Sequence, residues 1–255
     1  MHAGKTHRSV RELPSLPSDQ AAKVKRAAMN PSSAPAEAAQ EISPGVERWP
    51  VKTGTDADAA KVGVNKINRE ALGAGVVETT VAEMRALKRA PDMPPVKTIF
   101  PKNSVYQNHR AAPTETTIWK LTATVREAKL EQDGDYHLVL QDGNVTMIGE
   151  IPMPDPKFVA ASSPFFNDIK NARASMDAKL KQLGKSLEPV GFSKDDMAPP
   201  SQPRRGPEKE PEEGMTALGV TAVITGVGFF DSDHNQDGVA PTAIEIHPIL
   251  DIQFS

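Results

Sequence analysis

Cysteine is absent from this chain of 255 residues, which excludes disulfides, thiolate metal sites and cysteine nucleophiles. Aromatic residues are scarce at 5%, and surfaces that bind single-stranded nucleic acid need them as stacking platforms. No run approaches the roughly 18 apolar residues of a membrane-spanning helix. The first 30 residues carry charge and proline but lack the apolar stretch of a signal peptide. The expectation is a soluble chain, cytoplasmic by default or part of a larger particle. Also missing are a glycine-rich phosphate loop, a nucleophile elbow with Ser/His/Asp partners, and an H-E-x-x-H pair.

Proline, by contrast, is abundant. Of 23 prolines, ten lie before Ala111 and six crowd into 185–213. Hydrophobic residues reach only 38%, below the usual globular share. Setting the proline-rich regions aside leaves 112–184 and 214–255, enough for one hydrophobic core. Charge is segregated in the same way. Residues 1–111 hold 17 Lys/Arg against 11 Asp/Glu, whereas 112–255 hold 13 against 22. An acidic domain is a poor phosphate-binding surface, so nucleic acid is not the expected partner of 112–255. The basic N-terminal part could bind nucleic acid, but suits an acidic protein neighbour better.

Residues 1–46 show no helical or strand period and read as a disordered, basic, proline-rich arm. Ser18 would cap a marginal helix over Asp19–Met29. Residues 47–111 read as an extended linker with two short helices packing on a barrel. Glu47–Val51, with Trp49, is expected to dock as a strand. Thr55 with Asp58 predicts a helix near 56–62. Thr80 with Glu83 predicts a second, striped by Val81, Met84 and Leu87 and stopped by Pro91, Pro94 and Pro95. Residues 96–111 read as extended.

Residues 112–255 are mainly β. Strands are expected at Thr116–Glu127, Tyr136–Gln141 and Val145–Ile151, joined by turns at Asp133-Gly134 and Asp142-Gly143-Asn144. Ser163 and Pro164 open a helix whose apolar face carries Phe165, Ile169, Ala172, Met176, Leu180 and Leu183, with Gly184 as its stop. After a disordered insertion at 185–213, Leu218–Phe230 and Ala243–Phe254 complete the pattern β-β-β-α-β-β. That order suits a five-stranded oligonucleotide/oligosaccharide-binding (OB) barrel, a match of fold that carries no function.

Two constellations carry chemistry. Asp231, Asp233, Asn235 and Asp237 alternate as calcium-loop ligands do. Gln236 and Thr242, however, stand where an EF-hand needs glycine and glutamate, so a solvated hairpin tip is the expectation. The second set is His137, Glu150, His234, Glu245 and His247. Strand alternation puts Glu245 and His247 on one face, away from Ile244 and Ile246, and His137 on a neighbouring strand could join them. As metal ligands, His137, Glu245 and His247, with His234 as a fourth ligand or a proton shuttle, would hold zinc or iron rather than calcium. Asp135, Asp231 and Asp251 are then the candidate acceptors for the outer imidazole N–H groups. The same groups serve equally as hydrogen-bonded pins that hold strands together, and with that reading no cofactor is expected. The residues expected at a binding surface are Trp49, Phe229, Phe230, Asp231 and His234.

The segment Gly226-Val227-Gly228-Phe229-Phe230-Asp231, followed by His234, Gln236, Gly238-Val239-Ala240-Pro241 and Ile244-Glu245-Ile246-His247-Pro248-Ile249-Leu250, resembles the C-terminal signature of a group of uncharacterised bacterial proteins. The likeness extends to Arg48-Trp49-Pro50-Val51-Lys52, Thr79-Thr80-Val81, Ala112–Thr117, Asp135 with His137-Leu138-Val139, and Ala161–Phe165. It implies no activity. It does imply that Trp49–Lys52 belongs structurally with the barrel and that the aspartate alternation is not a shared calcium loop. The function expected from the sequence is a non-catalytic binding or assembly module. Its arm, residues 1–46, would contact a protein partner or an identical subunit. The alternative is a metal-dependent, hydrolase-like enzyme built on the His/Glu set.

Overall fold

The computed structural model describes residues 47–63, 76–187 and 214–255. The expected disorder of the arm 1–46, its marginal helix and nearly all of the 185–213 insertion lie outside those residues. Among the described residues, the chain runs α1 (Trp49–Thr53), β1 (Val76–Glu78), α2 (Val81–Arg85), β2 (Ile118–Leu130), β3 (Tyr136–Asp142), β4 (Val145–Ile151), α3 (Phe166–Gln182), β5 (Thr216–Phe230) and β6 (Ile244–Phe254). No helix among them is long and apolar enough to cross a membrane.

Alternating apolar residues and two Asp-Gly turns produce the meander β2–β3–β4. Gly134 and Gly143 sit at φ 86° and 55°, a left-handed conformation that glycine adopts without steric penalty. After α3, β6 inserts between β4 and β5, parallel to β4 and antiparallel to β5. β5 in turn pairs antiparallel along β2, from Ile118↔Val227 to Ala128↔Thr216. The pairings return to their starting strand, so β2, β3, β4, β6 and β5 form a ring. The short β1, unforeseen in the sequence, lies parallel to Ile118–Lys120, a part of β2 that β3 does not reach.

Ladder register divides the side chains into two faces. Leu138, Leu140, Met147, Ile151, Ile244 and Ile246 join the central apolar cluster together with Ile169, Ala172, Met176 and Leu180 of α3. His137, Val139, Ile148, Glu150, Glu245 and Phe229 share the opposite face, and all are buried as well. Their cover is the chain itself. Val51 of α1 is fully buried, Lys52 extends its ammonium over the Phe229 ring, and the Trp49 indole N–H donates to the Phe158 carbonyl after β4.

Several expectations are corrected by this arrangement. Glu47–Val51 is no docking strand. Pro50 occupies the first turn of α1, where its missing N–H is harmless, and Arg48 and Gly54 bound the helix in left-handed conformations. The helix expected near 56–62 shortens to a 3-10 turn at Ala59–Lys61, with Asp56 accepting the Asp58 N–H instead of Thr55 capping it. Residues 96–111 are not an extended linker, since Phe100, Tyr106 and Ala111 belong to the same core as the ring. The Thr80–Glu83 capping box forms as expected and starts α2, which buries Val81 and Met84. Ser163 accepts the Phe165 N–H and donates to the Thr53 carbonyl, so it ties α3 to α1 rather than capping the helix directly.

Candidate functional site

The central group of the buried polar face is Glu150 on β4. Its Oε1 lies 3.0 Å from His137 Nδ1, on the neighbouring β3 at the directly paired position. Its Oε2 lies 2.8 Å from His247 Nδ1 on β6. One carboxylate thus joins the two imidazoles. Glu245 stands farther off, with Oε2 4.0 Å from His247 Nδ1. On the other side of the same ring, Asp135 Oδ2 lies 3.6 Å from His247 Nε2. Asp135, His137, Glu150, Glu245 and His247 are all between 0% and 4% exposed.

Local irregularity in β6 places His247. Against β5 the strand gains a residue on each side of Gly226. A β-carbon at Gly226 would overlap Ile246 and press on the Pro248 carbonyl, so only glycine allows this close approach. Bulges of this kind re-aim side chains. Here the His247 ring tilts against Phe229, with centroids 5.4 Å apart.

Burial and neighbouring charge separate the acids. Burial alone raises the Glu150 carboxyl, but His247 and His137 beside it, with Lys52, hold it well below its usual range. Burial pushes Asp135 well above the usual range, with Asp133 and Glu150 adding repulsion. Glu245 rises for the same reasons, burial first and then Glu150 and Asp231. Asp133 at the turn is pushed up to about 6 by burial and by Glu131 and Glu150. Burial lowers the Lys52 ammonium, yet Asp231 at 2.9 Å, with Glu150 and Glu245, keeps it well above its usual value.

Several atoms of this cluster are buried without a hydrogen-bond partner: Asp135 Oδ2, His137 Nε2, Glu245 Oε2 and both ring nitrogens of His247. The close approach of His247 Nδ1 to Glu150 therefore lacks hydrogen-bond alignment.

Of the ligands expected from the sequence, the structure brings His137 and His247 together through Glu150 and leaves Glu245 at the margin. It does not bring His234 to them. That imidazole faces Glu47, Nε2 to Oε2 3.6 Å, in a second group where Glu47 also accepts from Ser232 Oγ and the Phe100 N–H at 2.8 Å each. The alternating aspartates do not converge. Asp231 pairs with Lys52, while Asp233 accepts the Asn235 N–H within its own loop. Of the expected acceptors, Asp135 meets His247, but Asp251 accepts from Gln253. Trp49 is half-buried on Phe158, and Phe229 and Phe230 are 0% and 1% exposed, so neither phenyl ring offers a surface.

Sequence reasoning missed the cationic side of the face. Arg48 is fully buried, bidentate to Glu115 at 2.7 and 2.8 Å, and lies over the rings of Phe100 and Phe229. It also donates to the Tyr106 and Phe230 carbonyls. Arg110 pairs in the same way with buried Asp56. No local periodicity marks such pairs, because the partners are 67 and 54 residues apart. Asp135, expected from the sequence only as an acceptor for an outer imidazole N–H, precedes His137 by two residues, as Glu245 precedes His247.

A surface cleft of ≈ 440 Å³, lined by Gly54, Asp56, Ser162 and Pro164 among others, contains none of these candidate residues. Comparison of the chain with protein-family models, with curated proteins and with solved structures finds no match.

Proposed function

We propose that this chain is a non-catalytic assembly module, an OB-type barrel that presents its N-terminal arm, residues 1–46, to a neighbouring protein or to a second copy of itself. The OB reading is supported by the closed ring of β2–β5 with β6, by the parallel pairing of β4 with β6, and by the helix between the third and fourth ring strands.

One observation carries the non-catalytic reading: the face formed by β3, β4 and β6 is closed by the chain's own α1 and neighbouring loops. Barrels of this type bind oligonucleotides and sugars through the face of their second and third strands, which here correspond to β3 and β4. The chemically capable groups, His137, Glu150 and His247, are at most 4% exposed among the described residues, a poor setting for an incoming substrate. The metal-dependent hydrolase reading requires a substrate path to them. The acidic balance of 112–255 also argues against nucleic acid.

The arm's role rests on composition rather than on strong charge. Of the 17 basic residues before Ala112, only six lie in residues 1–46, against four Asp/Glu, while Arg48, Lys52 and Arg110 are buried in ion pairs beyond the arm. A proline-spaced segment of low hydrophobic content suits wrapping over a partner. Deleting residues 1–46 and measuring mass by light scattering tests the reading. A fall in oligomer mass, or loss of a co-purifying partner, is expected. Unchanged assembly would reduce the arm to a solubilising tail.

A further inference from the structure

We propose that Asp135, Glu150 and His247 are the ligands of a buried divalent metal ion of the zinc type, with His137 orienting Glu150 from outside. The site goes beyond the assembly reading and does not depend on it.

Geometry comes first. One donor atom from each of Asp135, Glu150 and His247 falls within 4.8 Å of the other two. Donors bound to zinc at about 2.0–2.2 Å stand roughly 3.4 Å apart in a tetrahedral shell. Asp135 stands 3.6 Å from His247 Nε2, close to that spacing, whereas Glu150 approaches the other ring nitrogen, Nδ1, at 2.8 Å, so an ion bound through one nitrogen requires a turn of the imidazole or of one carboxylate. These atoms are close but not hydrogen-bonded: both His247 nitrogens and Asp135 Oδ2 are buried and unpartnered. Donors gathered at buried positions without pairing call for a further partner.

Charge points the same way. Asp135, Glu150, Asp231 and Glu245 are buried together, and Lys52 is the ammonium among them. Four carboxyl groups share one lysine, and buried carboxylates are either paired or coordinate a metal. The donors also select the ion. Imidazole with carboxylates suits zinc and its transition-metal neighbours. Calcium asks for six to eight oxygens, and magnesium prefers oxygen ligands with several waters retained. His137 Nδ1–H donates to Glu150 Oε1, the oxygen turned away from His247, which is the position of an outer partner that fixes a ligating carboxylate.

The test uses the full chain, stripped with a chelator, dialysed and titrated with zinc and with cobalt(II). The wild type is expected to take up about one ion per chain, with a rise in melting temperature and a visible cobalt absorption band from imidazole and carboxylate donors. Asp135→Asn retains the oxygen that accepts the Met153 N–H and so preserves the turn. It is expected to weaken zinc binding by more than the roughly 10–100-fold that loss of an outer partner costs, and His137→Gln by about that factor. His234→Gln, in the separate Glu47 group, is expected to leave zinc affinity unchanged. Failure of the stripped wild type to take up either ion overturns the proposal. So does an Asp135→Asn protein that folds and binds zinc as the wild type does. If that variant does not fold, uptake and the cobalt band in the wild type decide the matter.

Discussion

Arg48 and Glu115 form a bidentate ion pair from which solvent is excluded on both sides, each side chain being 0% exposed. Glu115 simultaneously accepts the backbone N–H groups of Ala111 and Phe230, and Arg48 donates to the carbonyls of Tyr106 and Phe230. The pair therefore joins the segment before the ring to the end of β5. Every charge is met by a partner, the condition under which a buried pair is tolerated.

Removing one partner should then be far worse than removing both. Arg48→Met strands the Glu115 carboxylate in an apolar surround, and a loss of about 3–5 kcal/mol is expected. The double variant Arg48→Met with Glu115→Gln should recover part of it. Denaturant unfolding of the two single variants and the double variant measures the coupling.

The lower boundary of the folding unit follows from the same contacts. A fragment of residues 112–255 lacks Arg48, Val81, Met84, Phe100 and Tyr106, all of which are buried in the full chain. It is expected not to melt cooperatively, whereas a chain beginning at Glu47 should. Circular dichroism melts of the two fragments distinguish the outcomes.

The Glu47–His234 contact predicts a pH window. Burial works against the Glu47 charge, but His234, the Phe100 N–H and Ser232 outweigh it and hold the carboxyl below its usual 4.5. The pairing stabilisation from Glu47 is complete above that value and fades as pH falls through the lowered one. Glu47, working against burial, raises the His234 imidazole above its usual 6.5. The histidine contribution is complete below 6.5 and is lost as pH rises through the raised value. The stability difference between wild type and Glu47→Gln should therefore peak between 4.5 and 6.5 and shrink on either side. Melting temperatures of both proteins across that range check it.

Gly54 and Gly143 should respond differently to alanine. Both have positive φ, 75° and 55°. A β-carbon at Gly54 would overlap the Phe165 ring, whereas at Gly143 nothing lies within 4 Å. Gly143→Ala should lose about 1–2 kcal/mol from backbone strain alone. Gly54→Ala adds an overpacking penalty of about 1–3 kcal/mol and should lose clearly more. Chemical denaturation of the two variants compares them.

The contrast between legible and illegible parts has a physical cause. β4 spans Val145–Ile151, the bounds expected from alternation and the Asp-Gly turn, because strand period and turn chemistry are local properties. The role of Arg48 is not local. It rests on Glu115, Tyr106 and two aromatic rings brought together only by the fold, so Glu47–Val51 read as a strand although Pro50 starts a helix. Alternation correctly set Glu245 and His247 apart from the core-facing Ile244 and Ile246. It did not show that α1 closes the face those two residues occupy, nor that Glu150 rather than Glu245 joins the histidines. A polar strand face reads as solvated unless a distant segment is known to cover it.

The position of β6 has a consequence for how the molecule is made. β4 and β5 do not pair with one another; each pairs with β6, the final strand, on the side facing the other. While the polypeptide emerges from the ribosome in order, both strands present unsatisfied edges until Ile244–Phe254 arrives to fill the gap. Until β6 is made, the growing chain thus carries two sticky borders, and any neighbour with a spare strand competes with β6 for them.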